Sequence, residues 1–107
     1  MPDPDAATYL YLTTTGWKTG RAHEIEIWYV YREGRYYVVA EGRHRAHWVQ
    51  NITRSPEVTF RVGESQFRGT ARLITHEAEP ALADAVSALM EARYGWSDGL
   101  IVELAPS

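Results

Sequence analysis

The chain has 107 residues, with 11 Lys+Arg against 14 Asp+Glu and no cysteine. That length holds one hydrophobic core, so a single domain over residues 1–107 is expected. The lack of cysteine excludes disulfides, thiol catalysis and Cys-ligated zinc or iron–sulfur sites.

A hydrophobic content of 45% with 23% charged residues excludes disorder of the chain as a whole. No apolar run approaches the ~20 residues a membrane-spanning helix needs, so no integral membrane contact is expected. The start, Met1-Pro2-Asp3-Pro4-Asp5, is acidic and Pro-rich and unlike a signal peptide, which makes the cytoplasm the expected compartment. The net charge of -3 is unevenly spread: residues 18–72 hold ten bases and six acids, and the ends hold Arg93 against eight acids. A basic middle within an acidic chain suggests an anionic ligand held locally.

The first strand is expected over Thr8–Thr15, a run rich in β-branched and aromatic residues. It ends at a turn bounded by Gly16 and Gly20. His23–Arg32 alternates, with Ile25, Ile27, Tyr29 and Tyr31 on one face and Glu24, Glu26, Trp28 and Val30 on the other. Glu33-Gly34 turns the chain into a third strand, Arg35–Ala40.

A polar loop, Glu41–Arg45, leads to a short helix over Ala46–Arg54 that Pro56 stops. Trp48, Asn51 and Ile52 share one face of that helix. Val58–Val62 and Gln66–His76 form a hairpin about Gly63-Glu64. Glu77–Tyr94 is the long helix, with Pro80 suited to a first turn, an apolar stripe of Leu82, Val86, Leu89 and Met90, and Gly95 placed as its cap. Leu100–Leu104 is a last strand. Hairpins dominate this β-β-β-α-β-β-α-β order, so the expected fold is mainly β (α+β): a six-stranded antiparallel split β-barrel with two helices.

Two segments carry candidate chemistry. In Gly16-Trp17-Lys18-Thr19-Gly20-Arg21, glycines allow close backbone approach while Lys18, Thr19 and Arg21 offer donors to an anion. The spacing is not that of a P-loop, and a solvated hairpin turn is the competing reading. In Gly42–Asn51, a cationic loop precedes a helix N-terminus. There Trp48 either stacks on a ring or anchors the core, and Asn51 either bonds a ligand or caps locally. His23, His44, His47 and His76 lack metal-ligand spacing, so no metal is expected. Glu24 and Glu26 read as a solvated face. Nucleic-acid binding, suggested by Arg61, Arg68 and Arg72, is opposed by the acidic total.

Leu12-Thr13-Thr14-Thr15-Gly16-Trp17-Lys18-Thr19-Gly20-Arg21 resembles the Thr-Thr-x-Gly-x-Lys-Ser/Thr-Gly signature of the deazaflavin-dependent nitroreductase family. His47-Trp48-x-x-Asn51-Ile52-x-x-Ser55-Pro56-x-Val58-Thr59 resembles that family's Trp-x-x-Asn-Leu helix and following strand, and Gly69-Thr70-Ala71-Arg72 fits its fifth strand. The resemblance implies the split barrel shared with pyridoxamine phosphate oxidase-like flavoproteins. It also implies hydride transfer from reduced deazaflavin (coenzyme F-420) to a small electron-poor acceptor such as a quinone or nitro compound.

By that resemblance, Lys18, Thr19, Gly20 and Arg21 hold the cofactor's phosphate and acidic tail, and Ala40, Gly42, Trp48 and Asn51 border its ring. From their position after the long helix, Tyr94 or Trp96 is expected to close the acceptor side, and no side chain is expected to act as a catalytic nucleophile. Trp17 stands where the family usually has Arg or Lys, Glu41 where Lys or Ser is common, and the family's N-terminal segment has only a short counterpart here. FMN or haem in the same barrel, or a non-catalytic carrier, is the alternative. A homodimer is expected, with Trp28 offered to its interface.

Overall fold

The computed structural model describes residues 6–107; the acidic start, residues 1–5, lies outside them. The elements are β1 (Tyr9–Thr15), β2 (Ala22–Arg32), β3 (Arg35–Ala40), a 3-10 turn (Arg43–Arg45), α1 (His47–Arg54), β4 (Glu57–Val62), β5 (Ser65–Ile74), α2 (Pro80–Tyr94) and β6 (Leu100–Pro106). The strands close as an antiparallel barrel in the order β1-β2-β3-β6-β5-β4. This is the six-stranded, two-helix barrel expected from the sequence.

Alternation along β1 sends Leu10 and Leu12 inward, where they meet Tyr29, Val38, Phe60, Val102 and Leu104. Aromatic rings fill the width of the barrel. Tyr36 meets Phe60 edge-on at 5.4 Å, and Phe60 stacks on Phe67 at 5.2 Å, both in the favourable range for ring pairs.

A second core lies outside the barrel, where α2 covers β2, β3, β5 and β6. Ala83, Val86 and Met90 pack there against Val30, Tyr37, Val39, Ile74 and Ile101. This explains why β3 is buried on both faces from Tyr36 to Ala40, and why β2's outer face changes from exposed glutamates to the covered Trp28 and Val30.

The buried stripe of α2 differs from expectation. Leu89 is 38% exposed while Ala83 is fully buried, because the small Ala83 lets the helix axis approach the sheet. The helix also begins at Pro80 rather than Glu77. Thr75 holds the preceding turn: its Oγ1 accepts from the Ala78 N–H at 3.2 Å and its carbonyl from the Glu79 N–H at 2.9 Å. Gly95 caps the other end in the left-handed conformation, as placed from sequence.

Register creates the feature on which the site depends. The β2–β3 ladder runs only from Arg32↔Arg35 to Tyr29↔Val38, closed by the Glu33-Gly34 turn with both φ values positive. Beyond Tyr29, β2 pairs with β1 alone, from Trp28 back to Ala22. β3 instead continues along β6, through Val39↔Ile101 and Ala40↔Leu100. The two strands therefore separate, leaving an open seam between Ile25–Trp28 and Val39–Gly42.

Gly99 holds the β3 side of that seam. A Cβ there would lie 2.4 Å from the Ala40 carbonyl oxygen and 2.7 Å from a Val39 methyl, and backbone cannot move aside cheaply. Gly99→Ala is expected to cost about 1–2 kcal/mol, read as a lower thermal midpoint. An unchanged midpoint would show that the β3–β6 junction tolerates the shift.

Candidate functional site

The seam opens into a groove of about 650 Å³ lined by Ile25, Ile27, Trp28, Val39, Ala40 and Trp48, among others. Alternation sends Ile25 and Ile27 toward the barrel interior, where they pack as half-buried walls. Trp48, on the first turn of α1, is also half-buried against the same core. Trp48 therefore anchors α1 against the core, as one of its two sequence readings has it, and also borders the groove. Trp96 and Tyr9 close the far end.

A second groove of about 710 Å³ adjoins the first and shares Ile25 and Trp48 with it. Its walls are more polar than those of the first: Gly16, Lys18, Thr19, Arg45, His47 and Asn51 contribute. Together the two make one trough, apolar at the seam and cationic beside α1.

The β1–β2 turn forms the cationic wall. The Gly16 N–H donates to the Arg21 carbonyl at 2.7 Å, and the Gly20 N–H donates to the Gly16 carbonyl at 2.8 Å. Thr19 Oγ1 accepts from the Arg21 N–H at 3.2 Å. Gly20 and Arg21 thus shape the turn, while Lys18 and Thr19 line the groove. Gly16 lets the turn close tightly, since a Cβ would lie 2.8 Å from Thr19 Oγ1 and 3.0 Å from His23 Nε2, side-chain atoms that would have to shift.

Asn51 ties this turn to α1. It is 6% exposed, its Oδ1 accepts from the Trp17 N–H at 3.2 Å, and its Nδ2 donates to Thr14 Oγ1 at 3.1 Å. Trp17 gathers two cations: Lys18 Nζ lies 4.9 Å and Arg54 Cζ 4.5 Å from its ring centroid, within cation–π range.

The charges divide along the trough. Among the described residues, Lys18, Arg21, Arg45 and Arg54 have no carboxylate partner, whereas Arg32, Arg35 and Arg43 each have one and Arg72 has two. Helix α1 also has no capping side chain, so its first N–H groups remain available at the polar groove. Lys18 and the Thr19 hydroxyl on the β1–β2 turn, facing Arg45 and the α1 N-terminus across the groove, suit a phosphate or carboxylate. The open strand edges beside Ala40 suit a flat ring carrying polar edge atoms. The residues present therefore fit a phosphorylated ring cofactor.

The remaining candidates fall differently. Ala40, Gly42 and Trp96 line the apolar half. Tyr94 lies behind it: its ring stacks on Trp28 at 4.6 Å, and its hydroxyl donates toward the Thr8 and Tyr29 carbonyls at 2.8 and 2.9 Å. Trp28 is thus held from within the chain, with Trp96 edge-on at 6.2 Å. Ile25, Ile27 and Val39 were not singled out from sequence as site residues. The seam that exposes them follows from register, which no local pattern encodes. Among the described residues, no group of three or more His, Asp or Glu is placed to hold a metal.

The family model of the F420H(2)-dependent quinone reductases matches residues 4–97. The chain belongs to this family. No curated protein sequence matches, but solved structures share the fold. HutZ, the haem storage protein from Vibrio cholerae, is 19% identical with a TM-score of 0.78 over 97% of this chain and 84% of that one. An F420-H2 dependent reductase, FDR-A, is 23% identical with a TM-score of 0.63 over 91% and 93%. A structure described as a domain-swapped dimer is 22% identical with a TM-score of 0.65 over 91% and 79%. These neighbours share the split barrel. No helix among the described residues is long and apolar enough to cross a membrane.

Proposed function

We propose that this family member is a reductase that binds a reduced deazaflavin cofactor along the trough and passes its hydride to a quinone or similarly electron-poor acceptor at the seam. When bound, the cofactor supplies a hydride which, with one proton from solvent, converts a quinone to its hydroquinone.

The chain's own residues bind and orient. Lys18, Thr19 and the α1 N-terminus take the phosphate and acidic tail, Arg45 adds charge, and Gly20, Arg21 and Asn51 keep the turn in shape. Ala40, Gly42 and Trp48 border the ring, while Trp28 and Trp96 keep water from the acceptor side. Positioning is then the chain's contribution to rate. The observation that carries this reading is the trough itself, with its unpaired cations at one end and an apolar seam at the other. A homodimer belongs to the same reading, supported by the domain-swapped dimer among the fold neighbours.

Titration with the deazaflavin cofactor, followed by ring fluorescence, tests it. Saturable binding at micromolar concentration is expected, with Lys18→Ala weakening affinity about tenfold, roughly 1.4 kcal/mol. The absence of saturable binding, or an FMN or haem band in freshly purified protein, would overturn it.

A further inference from the structure

The charges lining the trough bear on which acceptors the seam admits. Among the described residues, the seam half contains two carboxylates, Glu26 and Glu41, and no basic side chain. The polar half carries Lys18 and Arg45 with a single acid, Glu24. The carboxylate of Glu26 is oriented, because its Oε2 accepts from the Tyr11 hydroxyl at 2.7 Å.

The nearby bases do not cancel these charges inside the groove. Arg43 is paired to Asp98 at 2.6 Å, and Arg61 lies over the Tyr11 ring with its Cζ 4.3 Å from the centroid; neither lines the seam. The remaining wall is aromatic and aliphatic. Trp28 is braced by Tyr94 and Trp96, so the wall is preformed rather than assembled around a ligand.

We infer that the seam selects acceptors by charge, taking flat uncharged or cationic rings and rejecting anionic ones through Glu26 and Glu41. This rests on the reductase reading for its acceptor. An anionic ring entering the seam meets two like charges at its exposed rim, and among the described residues no cation lining the seam compensates them. The apolar contacts with Trp28, Trp48 and Trp96 are equally available to neutral and charged rings, so the carboxylates supply the difference.

The test is equilibrium binding followed by quenching of tryptophan fluorescence, which requires no turnover. 1,4-Naphthoquinone is compared with its 2-sulfonate in the wild type and in the Glu26→Gln/Glu41→Gln variant. In the wild type the sulfonate is expected to bind about tenfold more weakly than the neutral quinone. The penalty should shrink as salt is raised, and the double variant should remove most of it. Taking the sulfonate-to-neutral ratio within each protein cancels any general loosening of the wall. Equal affinities in the wild type, or a ratio the variant leaves unchanged, would overturn charge selection. Quenching that follows the expected ratio without quinone-dependent oxidation of the reduced cofactor would overturn the reductase reading and leave charge selection standing.

Discussion

Glu103→Ala is expected to lower folding stability by about 2–4 kcal/mol, with Glu103→Gln losing roughly half as much. Glu103 lies on the outer face of β6, its side chain 4% exposed. It faces Tyr37 on β3 and Arg72 on β5 through the registers Tyr37↔Glu103 and Arg72↔Glu103. Arg35 Nη1 donates to it at 3.1 Å, Arg72 Nη2 at 3.2 Å and the Tyr37 hydroxyl at 3.0 Å. Arg72 also reaches Glu79 at 2.6 Å, which links this network to the start of α2.

Removing the carboxylate leaves the buried Tyr37 hydroxyl without an acceptor and takes the shared anion from two guanidinium groups. Those guanidiniums are about half exposed, so water recovers part of the loss and the cost stays below that of a fully buried pair. Chemical denaturation gives the value, and a loss under about 1 kcal/mol would show the network to be dispensable.

The same network sets a pH dependence with two limbs. Burial alone would raise the Glu103 carboxyl, but hydrogen bonds from Arg72 and Tyr37 and the charges of Arg72 and Arg35 outweigh it and hold the group below its ordinary value. A depressed carboxyl stabilises the fold above its unfolded value, and that stability is lost as pH falls through the folded one. Burial and the bond to Glu103 push the Tyr37 hydroxyl up from 10.0 to about 12. This favours the protonated form, so its contribution is complete below pH 10 and is lost as pH rises through about 12. Glu103→Gln should remove the acid limb of the midpoint-against-pH curve and reduce the alkaline one, since the burial of Tyr37 remains.

Much of this molecule is written locally. Alternation along β1 and β4, the Glu33-Gly34 turn, Pro80 and Gly95 each correspond to a preference set by a few neighbouring residues, and the structure realises them. The turn proposed to hold the anion is legible too, since glycines and cations within six positions form a local signal. The seam is not, because it depends on where the β2–β3 ladder stops, a pairing between distant segments. Glu103 escaped notice for the same reason: in sequence it is one polar residue in an alternating strand, and its partners come from β3 and β5. The stripe of α2 was misjudged at Leu89 because helical spacing accommodates two adjacent stripes, and the close approach allowed by Ala83 decides between them. Tyr94 sits beside Trp96 in sequence, yet its hydroxyl is committed to backbone on β2 and to the residue before β1.

Asn51→Ala is expected to weaken cofactor binding about tenfold while costing about 1–2 kcal/mol of stability. Asn51 makes no wall of its own at the seam; it bridges Thr14 at the end of β1, Trp17 in the turn and the body of α1. Thr14 is 1% exposed and accepts from the Asn51 amide, and the Trp17 N–H donates to the Asn51 oxygen. Without that bridge the turn keeps its internal bonds but loses its fixed distance from α1. Lys18 and Thr19 then have to be ordered against the α1 amides when the anion arrives, and the entropy of that ordering is taken from affinity. Thr14→Val separates this effect from ordinary destabilisation, because it removes the inner bond and leaves Trp17 anchored. Similar melting losses are expected in the two variants, with the larger loss of cofactor affinity confined to Asn51→Ala. If affinity falls in proportion to stability in both, Asn51 is a packing residue that happens to border the site.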